Sequence, residues 1–278
     1  MVLFTKKWTK NTLGVYNQNT MLPILFSIGS LDVRANTTFF ILGCVVALWV
    51  AWQEVIRQTT ANHWIYNPKG IIKFFVLFLP FAYLVGMLNS WFFHFNFFFI
   101  DPTWQEFIFS GWISYGGIIG ALLFGLIYPK KVETHGVGTL DIVALILPLF
   151  EAIYRIGCLL NGCCYGKETS GFGGLYLPNS RGLWTMRYPT QILYIALGFG
   201  LFALLWLTRN KKGYEGEIAL RYLILYGLGR FLIDGLRANL FDLGVINLHQ
   251  SVDLALMAFG LMLWCVIWVK RKRVKNIS

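Results

Sequence analysis

Two short stretches of this sequence carry the side chains best suited to anion and thiol chemistry. The first runs from Arg155 to Gly166, RIGCLLNGCCYG, and places an arginine, an asparagine and three cysteines within twelve residues at the end of an apolar run. The second runs from Gly229 to Arg237, GRFLIDGLR. On a helix, Arg230, Asp234 and Arg237 fall on one face, because residues three, four and seven apart lie above one another. Glu151 and Arg155 repeat the four-residue spacing. An arginine at membrane depth is costly, and by default it marks a functional site that looks into a bundle or a wet cavity. Guanidinium groups bind phosphate bidentately, and a neighbouring acid can hold one in place without using all of its donors. The competing reading is structural: a self-neutralising pair at Glu151–Arg155, and snorkelling for Arg237 near a helix end. That reading does not say why any arginine is needed there. Two arginines from different helices at one depth suit a single anionic group, most simply a phospholipid head group.

Cys158, Cys163 and Cys164 lack the C-x-x-C pair of a zinc site, and no histidine lies near them in sequence. Arg155 could favour a thiolate among them. Burial as small apolar residues is the favoured reading, and no metal or other cofactor is expected. Metal binding by the trio stays open to elemental analysis. Cys44 and Cys265 sit inside apolar runs and read as packing residues. The segment Tyr115 to Gly120, YGGIIG, presents backbone with few side chains in the way, as do Gly157, Gly162 and Gly166. Such glycines allow a helix or ligand to approach closely, although ordinary small-residue packing explains them equally well.

The elements that must position these residues are membrane helices. Of 278 residues, 56% are hydrophobic and only 13% charged, with mean hydropathy +0.59. Soluble domains carry roughly 25% charged residues. The formal charge of +11 (24 − 13) falls between apolar runs rather than on a polar face, which argues against nucleic acid as a partner. Seven apolar runs of bilayer-crossing length are expected at about 37–53, 71–93, 111–128, 139–160, 190–207, 218–237 and 251–269. A lipid-exposed backbone must satisfy its own hydrogen bonds, which favours helices, and the short alternating segments of a β-barrel are absent. The expected fold is therefore an all-α integral membrane bundle of about seven helices. An amphipathic arm over 1–36 precedes it, a long loop from Gly162 to Pro189 joins the fourth and fifth runs, and a basic tail occupies 270–278. The arm shows no apolar core of a cleavable signal peptide.

Lys and Arg concentrate in the 54–70, 129–138 and 208–217 segments and after Val269, while the 94–110 segment has none. The positive-inside rule then predicts a cytoplasmic C-terminus and, with seven spans, an external N-terminus. In that orientation Tyr115, Arg155, Gln191, Arg230, Asp234 and Arg237 all fall in the outer half of the membrane.

These motifs, in this order, resemble the phosphatidylglycerol–prolipoprotein diacylglyceryl transferases of bacterial cytoplasmic membranes. The resemblance runs from about Leu25 to the C-terminus. Arg155, Ile156, Gly157, Asn161, Gly162 and Gly166 keep the frame of the family's signature. Tyr115 to Gly120 looks like its His-Gly-Gly-Leu-Ile-Gly motif, and Tyr188 to Gln191 like its His-Pro-Ser-Gln. Arg230, Asp234 and Arg237 match its Arg-x-x-x-Glu-x-x-Arg, and Phe26-Ser-Ile-Gly with Arg34 fits an early segment. The departures are specific: Tyr115 stands where the family has an essential histidine, Cys158 and Cys163 replace its signature asparagine and glutamate, and Asn36 falls near a tyrosine of its first helix.

The resemblance implies transfer of a diacylglyceryl group from phosphatidylglycerol to the lipobox cysteine of a prolipoprotein, with release of glycerol phosphate. It implies Tyr115, Arg155 and Arg230 as catalytic, and Arg155, Asn161, Gly162, Gly166, Gln191, Arg230, Asp234 and Arg237 as substrate-binding. Tyr115 could move a proton only with its phenol lowered from about 10; Glu151 and Asp234 are alternative bases. The other readings are a non-catalytic phospholipid-binding or scaffold protein and, less well supported without an inverted repeat, a transporter of an anionic amphiphile.

Overall fold

The computed structural model describes residues 24–28, 31–60, 136–179, 182–238 and 246–275, together with Leu77, Phe81, Leu84, Val85, Leu88 and Gly120. Five long helices dominate them: α1 (Ala35–Thr60), α2 (Gly136–Asn161), α3 (Thr190–Thr208), α4 (Glu217–Leu236) and α5 (Leu248–Lys275). They coincide with five of the seven apolar runs. The runs at 71–93 and 111–128 lie outside the described residues, apart from the single positions named above.

Among the described residues, four stretches are long and apolar enough to cross a bilayer: Ala35–Gln58, Gly138–Asn161, Thr190–Lys211 and His249–Lys272. α4 is not among them. It carries Glu217, Arg221, Arg230 and Asp234 within twenty residues, the composition of a helix that faces protein rather than lipid. The other helices show large apolar side chains outward, including Phe40, Val45 and Trp49 on α1, Phe199 and Leu207 on α3, and Met262, Val266 and Trp268 on α5. In water such a surface would aggregate; in hydrocarbon it costs nothing.

Among the described residues, two small antiparallel hairpins interrupt the all-helical expectation. β1 (Ile24–Ile28) pairs with β2 (Leu31–Arg34) immediately before α1, inside the segment expected to be an amphipathic arm. β3 (Leu175–Pro178) pairs with β4 (Trp184–Arg187), Leu175 opposite Arg187 and Pro178 opposite Trp184, inside the expected loop. Pro178 sits at the strand's end, where its missing donor breaks no interior ladder bond.

The chain divides into two compact units. The first comprises Met1–Val45, Leu149–Gly200 and Tyr226–Met257; the second comprises Val46–Pro148, Leu201–Leu225 and Ala258–Ser278. In α2 the division falls at Pro148, which lacks the amide donor of a regular helix interior.

In the first unit, Gly43 packs on Phe150, and a Cβ on Gly157 would lie 3.1 Å from the Phe39 Cβ, so the N-terminal part of α1 lies close on α2. On α4, Gly227 faces the Asp253 backbone of α5, and Gly229 faces Leu197 of α3. α5 starts with a capping box: Asn247 Oδ1 accepts from the Gln250 amide at 2.8 Å, and Gln250 Oε1 accepts from the Asn247 amide at 3.1 Å.

In the second unit, α4 is capped from another helix. Asp141 of α2 accepts from the backbone amides of Gly216 and Ala219, each at 3.0 Å, and pairs with Lys212 Nζ at 3.0 Å. These bonds satisfy amides that a helix start leaves without intrahelical partners. Buried Glu54 of α1 gathers Arg57, Gln58 and Arg209. A buried carboxylate needs such company, since an unpaired one is costly.

Candidate active site

The last turn of α2 ends in a Schellman motif. The Cys163 amide donates to the Cys158 carbonyl at 3.2 Å, and the Gly162 amide donates to the Leu159 carbonyl at 3.3 Å. Gly162 takes the left-handed conformation the motif needs, at φ 68°. This stop sets Cys163 back against Cys158. Cys164 also has positive φ, 59°, unusual for a side-chain-bearing residue. Chain reversal at these two residues returns the third thiol to the first two, and the three Sγ atoms lie within 4.8 Å of one another.

The N-terminus of α3 holds this turn. Thr190 Oγ1 donates to the Cys164 carbonyl at 2.8 Å, and Gln191 Nε2 donates to the Cys163 carbonyl at 3.0 Å. Gln191 Oε1 is buried and accepts no hydrogen bond among the described residues. The Asn161 side chain favours the Cys163 thiolate. Beyond the turn, Gly166 to Thr169 runs between two backbones. Lys167 donates to the Leu236 carbonyl at 2.8 Å, Ala238 to the Tyr165 carbonyl at 3.0 Å, and Tyr188 to the Lys167 carbonyl at 3.1 Å. A Cβ on Gly166 would lie 2.2 Å from the Tyr188 carbonyl oxygen, so only glycine fits. The two sequence stretches are thereby stitched together by their backbones.

Three arginines meet in the first unit on that scaffold. Arg155 pairs with Glu151 at 3.0 Å, and its guanidinium lies 4.0 Å above the ring of Tyr194 on α3. The hydroxyl of Tyr194 donates to Asp234 Oδ1 at 2.5 Å. Asp234, wholly buried, lies 3.5 Å from Arg230 Nε and 3.5 Å from Arg237 Nη1. Arg230 also donates to Tyr226 Oη at 3.1 Å and faces Asp253 Oδ1 at 3.3 Å. Arg237 reaches the turn directly, its Nη2 lying 3.4 Å from Cys164 Sγ, while its buried Nε has no partner among the described residues.

Three arginines thus meet three acids, Glu151, Asp234 and Asp253, with Tyr194 joining the Arg155 pair to the Asp234 group. Each arginine is held in place by an acid, and a guanidinium carries five N–H donors in all. The cysteine turn feels this charge. Cys164 is held well below the usual thiol range, because hydrogen bonds from Cys158 and Cys163 favour its thiolate and Arg237 and Arg155 assist, against burial. For Cys163 the bond with Cys158 lowers the pKa, but the bond with Cys164 and burial outweigh it and push the thiol up to about 12.

Of the residues expected from sequence, Arg155, Asn161, Gly162, Gly166, Gln191, Arg230, Asp234 and Arg237 lie in this one assembly. Tyr115 lies outside the described residues. Sequence reasoning missed Tyr194, Tyr226, Asp253 and Arg187. Tyr194 follows Gln191 by three residues on the same helical face, and Asp253 is an acid inside an apolar run, so both signals were present. Arg187 is buried against Glu168 at 2.7 Å and the Tyr165 ring at 4.9 Å, where it secures the β4 end of the scaffold.

Comparison with known proteins places this assembly. A sequence profile of the family described as prolipoprotein diacylglyceryl transferase matches residues 23–266. The chain belongs to the prolipoprotein diacylglyceryl transferase family. Among relatives named phosphatidylglycerol–prolipoprotein diacylglyceryl transferase, the Aeromonas hydrophila protein is 29% identical over 258 residues, spanning 90% of this chain and 91% of the relative. The Idiomarina loihiensis protein is 30% identical over 258 residues, spanning 90% of this chain and 93% of the relative. The match to the Clostridioides difficile protein is 32% identical over 169 residues, 61% of this chain and 65% of that protein. As a member of this family the chain is a membrane transferase of lipoprotein biosynthesis. The family match covers the cysteine turn, both arginine motifs and the Tyr194–Asp234 link.

Proposed function

We propose that this chain transfers a diacylglyceryl group from phosphatidylglycerol to the thiol of a lipobox cysteine in a prolipoprotein. The observation that carries the reading is the convergence of Arg155 from α2, Arg230 from α4 and Arg237 just past the end of α4 on Tyr194 and Asp234. In the reaction the acceptor thiolate attacks the glyceryl carbon that bears the phosphate ester. A C–S bond forms, the C–O bond breaks, and its electron pair leaves on glycerol phosphate. The phosphate passes from a monoanionic diester to a monoester with one more negative charge. Charge-assisted donors held ready in a low-dielectric site stabilise that increase, and a single donor of this kind is worth roughly 10²–10³ in rate.

In this reading Arg155 and Arg230 face the phosphate, with Arg237 and Gln191 completing its contacts. Asp234 keeps Arg230 and Arg237 in register, and Asn161, Gly162 and Gly166 shape the wall. The proton of the acceptor thiol goes to the phenolate of Tyr115, which requires that phenol lowered from about 10, with the carboxylate of Glu151 or Asp234 as the alternative base. The reading places the chain in a bacterial cytoplasmic membrane with seven spans over 37–269, an external N-terminus, a cytoplasmic basic tail and the polar site in the outer half.

The test uses purified protein in phosphatidylglycerol vesicles with a lipobox peptide. A peptide mass gain of one diacylglyceryl unit, with release of glycerol phosphate, is the expected result. Unchanged peptide under conditions where a relative works would overturn the proposal.

A further inference from the structure

The three thiols at the end of α2 have no part in the transfer just described, yet the backbone is built to bring them together. The Schellman stop sets Cys163 on Cys158, and the positive φ of Cys164 returns the third. A side-chain-bearing residue held in the left-handed region is strained and persists only where the surroundings enforce it. Here Thr190 and Gln191 enforce it through the carbonyls of Cys164 and Cys163. Cys158 is 1% exposed, so the cluster is sheltered from water on at least one side.

We infer that Cys158, Cys163 and Cys164 bind one thiophilic d¹⁰ metal ion, Cu(I) or Zn(II), in a trigonal trithiolate site. Bonds of about 2.3 Å to a central ion place three sulfurs roughly 4 Å apart. The thiols already lie within 4.8 Å of one another, so small side-chain rotations close the site. Soft thiolates select Cu(I) and Zn(II) over harder ions. Three sulfurs around one point suit trigonal Cu(I), whereas Zn(II) would take a water or other group in a fourth position. Three thiolates leave either ion with net negative charge. Arg237, 3.4 Å from Cys164 Sγ, supplies the countercharge. A disulfide is the weaker reading, because it would use two of the three and leave one idle. Cys44 and Cys265 are not part of the cluster and serve as internal controls. The inference rests on thiol geometry alone and is independent of whether transfer is observed.

The test is metal binding by the full-length chain, purified in detergent under a thiol-free reductant and titrated separately with Zn(II) and with Cu(I) as its acetonitrile complex. One equivalent of one ion is expected per chain. X-ray absorption should then show a first shell of three sulfurs at about 2.3 Å, and the edge energy identifies the ion. Cys44→Ser and Cys265→Ser should keep the metal, while Cys158→Ser, Cys163→Ser and Cys164→Ser should each weaken binding at least tenfold. The absorption measurement on the unaltered chain decides the matter even if a variant does not fold. Binding of neither ion, a shell of nitrogen and oxygen, or full binding by Cys164→Ser would overturn the inference. So would an unreduced chain lighter by two hydrogens that binds metal neither before nor after reduction.

Discussion

Tyr194 and Asp234 are joined by a 2.5 Å hydrogen bond between α3 and α4, while the same tyrosine ring carries the Arg155 guanidinium on its face at 4.0 Å. One side chain therefore connects the two arginine motifs, which lie some eighty residues apart in sequence. The hydroxyl and the ring can be separated by substitution. Tyr194→Phe keeps the cation–π contact and removes the donor to a buried carboxylate, at a cost of about 1–3 kcal/mol in stability. Tyr194→Ala loses both and costs more. Thermal unfolding in detergent should rank the chains wild type, Phe, Ala, and transfer rates per folded molecule should follow the same order.

Arg230 is paired with two buried acids, Asp234 and Asp253. Its removal alone leaves carboxylates uncompensated, so Arg230→Met should lose about 3–5 kcal/mol. Adding Asp253→Asn should restore much of that stability without restoring transfer. Recovery of both together would place Arg230 in a structural role only.

Gly166 has a fixed carbonyl where a Cβ would stand, at 2.2 Å. Gly166→Ala must push apart the strand-like segment and the Tyr188 backbone, at about 3 kcal/mol or more. Gly171, whose added Cβ would meet only Thr169 Oγ1 at 3.4 Å, should accept alanine with little change. The yield of folded protein and its melting temperature distinguish the two.

Asp141 caps α4 from α2 and holds Lys212. Asp141→Ala should destabilise the chain by about 1–2 kcal/mol through the lost cap. Substrate affinity of the folded fraction should not change, because Asp141 belongs to the second unit and its bonds go to Gly216, Ala219 and Lys212, none of them in the arginine assembly. A raised KM at unchanged stability would contradict this division of labour.

The arginines were legible because a charge inside an apolar run stands out against its neighbours, and their i, i+4 acids fixed the shared face. Five helices were legible from apolar runs of helical length, although α4, with its charged residues, is not among the four stretches long and apolar enough to cross a bilayer. The hairpins were not: LYLP and WTMR are four residues each, embedded in glycine-rich sequence that reads as loop. Tyr194 shares a helical face with Gln191, but a tyrosine in an apolar run reads as packing until its hydroxyl is seen to meet a carboxylate. The three cysteines stood out as a group in the sequence, but their convergence did not, for a geometric reason. Cys158 and Cys163 are five apart, a spacing that a continuous helix would separate; only the Asn161–Gly162 stop brings them together.

The most direct test of the account is the transfer rate of Arg155→Gln from phosphatidylglycerol vesicles to a lipobox peptide, compared with wild type at equal folded protein. Glu151, the partner left behind, is partly exposed, its side chain 16% accessible, so the variant is expected to fold. If Arg155 stabilises the departing phosphate, the rate should fall by roughly 10²-fold or more. A rate within about twofold of wild type, less than 0.5 kcal/mol in transition-state stabilisation, would contradict the central claim.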